Sequence, residues 1–352
     1  MLLVVVDLQG LSRRPAKGRR MTSAIVRMLL RGLIAVGLLT WLTLNQNINW
    51  PDTFSRLIGI RPVCLLIAVA AVAASHVLAI ESVRRLLRSR GVEVRFVRLL
   101  ANHFHGLFAA QFLPTPVAGD IVRVHDLHSG QPTPEPSPSH FEGPNPVWQS
   151  AAWALTVQRA LNLLASLLIF VVVVEAAQFE DLFPLHTAGV SILLLAACGL
   201  TRLIGVPRLT TAPMLKKFVS WTPPYRVALK AFSLGIAQQA ALIAAVLAVA
   251  NGLEIDVSTS RLVAAVPLSL LAVILPISVS GLGVRESVYV FVLTPAGIPA
   301  SDAVTLSLSI FGLALIFSVL GLLTPGRTTT EPDSQMPSPP MASPQLKDQP
   351  IS

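Results

Sequence analysis

Charged residues are scarce in this chain of 352 residues. They make up 13% of it, against about 25% in a typical soluble domain. Hydrophobic residues account for 53%, and the mean hydropathy is +0.67. This composition excludes a water-soluble globular protein of this size and is typical of an integral membrane protein.

Cysteine is nearly absent. Cys64 and Cys198 both lie in apolar runs, so we expect buried thiols and no disulfide framework. The sequence also contains no glycine-rich nucleotide loop, no serine nucleophile elbow and no zinc-protease motif. Four histidines lie close together without a strong metal-ligand spacing, namely His103, His105, His125 and His128. We therefore predict neither a metal nor a cofactor.

Long apolar runs, by contrast, are abundant. A helix crosses the ~30 Å hydrocarbon core with about 20 residues. Six runs reach roughly this length, and they are Ala24–Leu44, Pro62–Ile80, Ser150–Ala177, Thr187–Val206, Ala228–Gly252 and Asp302–Leu323. Each is predicted to span the membrane as a helix.

Two further apolar runs are interrupted. Leu99–Leu113 stops before Pro114, and Leu262–Leu275 stops before Pro276. Each half would be about 16 to 23 Å long as a helix, which is too short to cross. Since proline ends helices and broken helices persist in membranes only within protein or beside water, we predict two re-entrant hairpins. The predicted fold class is an all-α polytopic membrane protein with about six full transmembrane helices and two broken, re-entrant helical hairpins.

The charges predict the orientation of the chain. The net charge is +9, which in a soluble protein would suggest nucleic acid as a partner. Here the basic residues flank apolar runs, so we expect no nucleic-acid partner. They concentrate before residue 32, in 84–98 and in 202–230, which the positive-inside rule places in the cytoplasm together with both termini. This alternation requires each hairpin to return to its side of entry; if either crosses fully, 202–230 faces outward.

Three regions follow from these patterns. Residues 1–21 form a basic cytoplasmic arm or an over-extended start, and not a signal peptide, because the apolar residues precede the basic ones. Residues 22–325 form the transmembrane domain, with a proline-rich loop near 129–147. Residues 326–352 form a disordered tail.

The two halves of this plan form an inverted repeat, a common transporter architecture. Each half has two spans, a hairpin and one more span. The breaks share a local pattern, with Leu113-Pro114, Gly119-Asp120 and Arg123 in the first and Leu275-Pro276, Gly281, Gly283 and Arg285-Glu286 in the second. A chance likeness of two Pro/Gly breaks is the alternative.

The breaks also carry the candidate site for an anionic lipid head group. Arg123 and Arg285 are permanently charged donors at membrane depth. Asp120 shares a helix face with Arg123, whereas Glu286 is adjacent to Arg285 and does not face it. The alternative is that arginine and acid only neutralise each other in a buried turn.

Backbone groups extend this candidate site. Ser278, Ser280, Gly281 and Gly283 allow N–H groups to turn toward an anion, and the helix starting near Val284 adds its positive end. Arg159 either lines the same cavity or extends to the cytoplasmic surface.

The second break, Leu275-Pro276-Ile277-Ser278 with Gly281-Leu282-Gly283-Val284-Arg285-Glu286 and Gly297-Ile298, resembles the membrane domain of lysylphosphatidylglycerol synthase. The wider family comprises flippase-like integral membrane proteins, and the resemblance covers roughly residues 22–325. The chain departs from it at Gln158-Arg159, where the family often has Glu-Arg, and in its proline-rich insertion.

This resemblance implies a flippase or translocase of the cytoplasmic membrane for an anionic phospholipid or a polyprenyl-linked lipid. One alternative is an accessory subunit of a lipid-modifying or envelope-glycolipid pathway, with an envelope-biosynthesis enzyme as partner. The other is a membrane lipid transferase. In the family resembled, aminoacyl transfer belongs to a large soluble domain after the membrane part, and residues 324–352 are too few for one. We therefore expect no enzyme activity.

Overall fold

The computed structural model describes residues 32–45, 48–112, 118–129, 146–177, 223–273 and 281–323. These residues form ten α-helices and one short 3-10 helix, Thr294–Ala296, and contain no β-strand. The helices are α1 Gly32–Asn45, α2 Trp50–Ile58, α3 Pro62–Arg88, α4 Phe96–Phe112, α5 Ala118–Ser129, α6 Pro146–Ala177, α7 Tyr225–Gly252, α8 Thr259–Val273, α9 Val284–Leu293 and α10 Ala300–Leu323.

Four of the described helices are long and apolar enough to cross a membrane, namely α3, α6, α7 and α10. They coincide with four of the six predicted spans. The predicted first span, Ala24–Leu44, is described only from residue 32 and overlaps α1, while Thr187–Val206 lies outside the described residues. The all-helical, polytopic class is therefore confirmed, and the count of six spans stays a prediction.

Helix α3 continues eight residues beyond the predicted end at Ile80. The added residues combine charged side chains with the buried Val83, Leu86 and Leu87. On the charged face, Glu81 accepts hydrogen bonds from Arg84 at 3.2 Å and from Arg85 at 2.9 Å. Such pairs at i,i+3 and i,i+4 stabilise the helix while its apolar face continues, so the helix does not end where the charged residues begin.

The antiparallel pair α3 and α7 lies at the centre of the bundle. The backbone N–H of Arg61 donates to the carbonyl of Gly252 at 3.3 Å, so the start of α3 lies beside the end of α7. A Cβ on Gly252 would lie 2.9 Å from the Cβ of Cys64. Small residues of this kind let two helices approach closely where no water drives association.

Buried apolar side chains form two clusters, one toward each end of this pair. The first joins the end of α3 to the start of α4, the end of α5 and the start of α6, with Ile80, Leu87, Leu99, Leu127, Trp153 and Leu155 among its members. The second joins α7, α8, α9 and α10 at the opposite end, with Val249, Leu262, Val292 and Leu306 among its members. We call these the basic end and the opposite end, because the arginines of 84–98 flank the first cluster.

Helices α4 and α5 form a helical hairpin that opens at the basic end. The guanidinium of Arg98 donates to the carbonyls of Asp126 and Leu127 at 3.2 and 3.1 Å, so the start of α4 lies beside the end of α5. Nδ1 of His105 lies 2.8 Å from the Asp126 carboxylate and joins the same two arms. With 17 and 12 residues, the arms are about 25 and 18 Å long.

Helices α8 and α9 form the corresponding hairpin at the opposite end. The guanidinium of Arg261, near the start of α8, donates to the carbonyl of Val292, near the end of α9, at 3.2 Å. These arms have 15 and 10 residues. Both arm pairs are therefore antiparallel and enter the bundle from opposite ends. The residues joining the arms, 113–117 and 274–280, lie outside the described part of the chain.

Helix α10 contacts both hairpins. On the α4 side, a Cβ on Gly321 would lie 2.4 Å from the carbonyl oxygen of Phe104, so the two backbones touch. On the α9 side, the hydroxyl of Ser307 donates to the carboxylate of Glu286 at 3.2 Å. The spacing of fourteen residues places these contacts about 21 Å apart along the helix.

The contact at Gly321 leads to a stability prediction. Gly321→Ala should lower the unfolding free energy by about 1–3 kcal/mol, because the added methyl group would overlap rigid backbone. Gly312→Ala is the matched control on the same helix, since a Cβ there meets nothing within 4 Å. Thermal unfolding of both purified variants in detergent measures the difference. Equal transition temperatures for the two variants would contradict this packing.

Candidate head-group site

The N-terminal turn of α5 meets α6 at an ion pair. Nη2 of Arg159 lies 3.0 Å from Oδ2 of Asp120. The Asp120 side chain is 13% exposed and that of Arg159 is 41% exposed, so the pair sits where a buried region opens outward. Arg159 thus contacts the hairpin through Asp120.

Arg123 lies one turn further along α5 and is only 9% exposed. Its aliphatic stem packs against Gly106 of α4, where a Cβ would lie 2.4 Å from Cγ and Cδ of the arginine. The side-chain amide of Asn102 donates to the Arg123 carbonyl at 2.7 Å and fixes the backbone there. Helix α4 therefore positions this arginine in two ways. Gly106 leaves space for its stem, and the amide of Asn102 binds its backbone carbonyl.

The guanidinium of Arg123 does not pair as its spacing from Asp120 predicts. Among the described residues it has no carboxylate within 4.0 Å, and its buried Nε has no hydrogen-bond partner. The expected partner, Asp120, is bound by Arg159 instead. The cluster of Asp120, Arg123 and Arg159, hereafter the arginine cluster, thus carries two positive charges and one negative charge. A buried excess charge is strongly unfavourable unless an anion balances it.

A row of polar side chains continues from the arginine cluster between α6 and α7. The amide of Asn162 donates to Gln238 at 3.0 Å, and Gln239 donates to the hydroxyl of Ser166. Arg159, Asn162 and Ser166 are spaced i, i+3, i+7 and share one face over about 10 Å of helix. We call Asn162, Ser166, Gln238 and Gln239 the amide row.

Sequence reasoning missed the amide row, although the sequence carries a signal for it. Gln238-Gln239 and Asn162 lie inside runs otherwise built from apolar residues. Polar side chains at membrane depth are unfavourable, so they usually face a partner helix or a wet cavity. Gln158, which stands where the resembled family often has glutamate, is buried beside this row.

The second break is organised around Glu286. This carboxylate is fully buried, accepts the backbone N–H of Gly283 at 2.6 Å and accepts the hydroxyl of Ser307. Gly283 has φ +81°, and a Cβ there would lie 2.7 Å from the Cβ of Leu38. Glu286 therefore caps α9 and occupies the N–H that the sequence analysis assigned to an anion.

Arg285 turns away from Glu286. Its guanidinium carbon lies 5.4 Å from the ring centroid of Phe311 on α10, a cation–π contact. Gly281 adopts φ +77° at the start of the same turn. Ser278 and Ser280 lie outside the described residues. The charged side chains of the second break thus find their partners in the Gly283 backbone and on α10.

The structure therefore separates the predicted site residues into two places. Asp120, Arg123 and Arg159 come together at the start of α5, the inner end of the first hairpin, and Gly283 and Glu286 come together against Ser307. The two breaks look alike in sequence but differ in their contacts.

The histidines considered as metal ligands are engaged in pairs. His103 lies against His76 and His105 against Asp126, while His125 is exposed. The side chain of His128 is outside the described set. Within the described ranges, no group of three or more His, Cys, Asp or Glu side chains is placed to hold a metal ion.

Comparison with known proteins gives one family. The family model described as lysylphosphatidylglycerol synthase TM region matches residues 28–321. This range contains both hairpins, the arginine cluster and the amide row. A search of the curated proteins finds no match.

The cap on α9 leads to a second stability prediction. Glu286→Ala should lower the unfolding free energy by about 1–3 kcal/mol, because the Gly283 N–H loses its partner. Glu286→Gln retains an acceptor for that N–H and should lose less. Chemical unfolding in detergent gives the order, with the exposed Glu93→Gln as the control for loss of an acid. A Glu286→Ala variant as stable as Glu93→Gln would refute the cap.

Proposed function

The chain belongs to the family of the lysylphosphatidylglycerol synthase TM region, and we propose that it moves an anionic lipid across the cytoplasmic membrane. It is an integral membrane protein, and its family links it to lipid-related processes. The proposed substrate is a phospholipid or a polyprenyl-linked lipid whose phosphate binds at the arginine cluster.

The observation that carries this proposal is the unbalanced charge of Arg123. Its guanidinium is buried, held in place from α4, and has no carboxylate within ion-pair distance among the described residues. A phosphate oxygen matches the planar donor geometry of arginine. Binding one phosphate monoanion would neutralise the arginine cluster, so the apolar surroundings favour the occupied site.

The surroundings of the cluster suggest how the rest of the lipid is accommodated. The exposed part of Arg159 marks the entrance, and the amide row extends the polar surface inward from it. Neutral amides and hydroxyls offer hydrogen bonds to a head group without adding charge. We propose that the acyl or prenyl chains stay in the bilayer while the head group follows this surface.

We further propose that the two hairpins are re-entrant. Their arms are shorter than the ~30 Å hydrocarbon core, and the two hairpins enter from opposite ends of the bundle. With the basic end in the cytoplasm, the arginine cluster is reached from that side and both termini are cytoplasmic. Inverted hairpins meeting a polar surface are the arrangement used by many transporters.

Lipid movement without chemical change is the proposed activity, so the arginine cluster acts as a binding site and not as a catalytic one. In reconstituted vesicles, Arg123→Gln should abolish or strongly reduce translocation of a labelled phosphatidylglycerol. Arg159→Gln should reduce it less, because this arginine already has a carboxylate partner. The measurement is the rate at which the labelled lipid becomes accessible in the outer leaflet.

Arg95→Gln serves as the matched control, because it removes the same charge from an exposed position near the basic end. If Arg123→Gln moves lipid at the wild-type rate, the arginine cluster is not the binding site. If the purified wild type moves lipid only together with an envelope-biosynthesis enzyme, the accessory-subunit alternative replaces autonomous transport.

The proposed orientation has its own test. In a background lacking Cys64 and Cys198, a cysteine at Arg95 should react with an impermeant reagent only from the cytoplasmic side. A cysteine at the exposed Asp256, in the connection between α7 and α8, should react only from outside. Labelling of intact cells and of inverted vesicles distinguishes the two. Labelling of both positions from one side would contradict the proposed topology.

A further inference from the structure

A second buried polar feature lies beside the arginine cluster and takes no part in the proposed lipid contacts. His76 of α3 and His103 of α4 face each other, with Nδ1 of the first 3.1 Å from Nε2 of the second. The His103 side chain is buried, and the rings of Phe104 and Phe317 close the space around the pair. The two imidazoles thus meet each other in apolar surroundings.

Each histidine of this pair also has a second ring nitrogen, which points away from the contact between the two rings. Nε2 of His76 and Nδ1 of His103 are buried and have no hydrogen-bond partner among the described residues. In a neutral imidazole one nitrogen donates and the other accepts. Whichever ring donates across the 3.1 Å contact, the pair therefore keeps one unused N–H at one end and one unused lone pair at the other.

This arrangement can pass a proton. We propose that His76 and His103 form a proton-exchange site, a two-ring relay between α3 and α4. When His76 donates across the contact, a proton binds its Nε2, the Nδ1 proton moves to Nε2 of His103, and Nδ1 of His103 releases its proton. Both rings end neutral in the other tautomer, with one proton taken up at His76 and one released at His103. Both rings must return to the first tautomer before a second proton can move in the same direction.

The charged groups around the relay are few, and all but Arg123 are paired with another side chain. On α5, Arg123 is the charged group that acts electrostatically on His103. The other titratable groups on the adjoining helices have partners of their own: Glu81 with two arginines of α3, Asp120 with Arg159, and His105 with Asp126. The neighbours of the histidine pair on α4 and α10 are the rings of Phe104 and Phe317. On α7, the side-chain amide of Gln239 donates to the hydroxyl of Ser166 on α6.

A metal ion fits this pair poorly. A structural zinc ion takes four ligands in a tetrahedral arrangement, and this pair supplies two. The observed 3.1 Å is a hydrogen-bond distance. The described residues also provide no third ligand.

The relay lies one turn from the position where α4 receives the Arg123 stem, since Gly106 follows His103 by three residues. A proton that passes through the pair is therefore transiently a positive charge next to the arginine cluster. An anion bound there would stabilise that charge, and the two occupancies would reinforce each other. Proton exchange thus gives a source of energy for the proposed lipid movement, although the relay itself requires no lipid.

The test is a proton-flux measurement on the full chain. Wild-type protein is reconstituted in vesicles of phosphatidylcholine and phosphatidylglycerol that contain a pH-sensitive dye, and the outside is acidified. We expect faster internal acidification than in protein-free vesicles. His76→Gln and His103→Gln should fall to the protein-free rate, and the exposed His125→Gln should match the wild type.

Two further readouts exclude trivial explanations. Nitrogen NMR of the wild type with labelled histidine should show coupling through the hydrogen bond between the two rings, so the test does not depend on the variants folding. If the wild type binds one equivalent of Zn²⁺ and His76→Gln binds none, the histidine pair is a metal site and not a relay. Wild-type flux equal to that of empty vesicles, or unchanged flux in both glutamine variants, would also overturn it.

Lipid translocation measured in the same vesicles separates this inference from the proposed function. Proton flux without lipid movement would retain the relay and refute the translocase. Lipid movement with unchanged proton flux in both glutamine variants would retain the translocase and refute the relay.

Discussion

The burial of fixed charge within an apolar bundle is the constraint on which the rest of this structure depends. Ionised side chains lose their hydration inside a membrane protein, and each must find a partner. Glu286 does so with a backbone N–H and a hydroxyl, and Asp120 does so with Arg159. Arg123 is buried and has no carboxylate within 4.0 Å among the described residues, which is why it carries the functional interpretation.

Close backbone packing makes these burials possible. Gly106 gives the Arg123 stem its space, and Gly283 lets the chain turn into α9 so that Glu286 can reach back to it. Gly321 brings α10 against α4, and Gly252 brings α7 against α3. The glycines therefore determine where charged side chains can be enclosed, and the enclosed charges in turn hold the hairpins in place.

The sequence was sufficient for the class of fold, because that depends on local quantities. The length of an apolar run predicts helices such as α7 without any tertiary knowledge, whereas the predicted interruptions at Pro114 and Pro276 lie outside the described residues. The partner of Asp120 was beyond such reasoning. Helical spacing favours Arg123, but Arg159 reaches the carboxylate from another helix, 39 residues away in sequence. The sequence analysis likewise missed His76, because its contact with His103 depends on the packing of α3 against α4.

The two hairpins show why likeness in sequence does not imply likeness in role. In the second, Glu286 in the first turn of α9 accepts the Gly283 N–H and the Ser307 hydroxyl, and Arg285 lies over the Phe311 ring, so the charged side chains are tied to α10. In the first, the acid is bound by α6, and the arginine that follows it stays unbalanced beside the histidine pair. A hairpin whose charged groups are bonded within the protein suits a structural role. A buried excess charge beside a partly exposed arginine suits a reversible binding site. The chain thus has one hairpin whose charged side chains contact α10 and one hairpin whose buried arginine has no carboxylate within 4.0 Å among the described residues, and the proposed lipid site lies at the second.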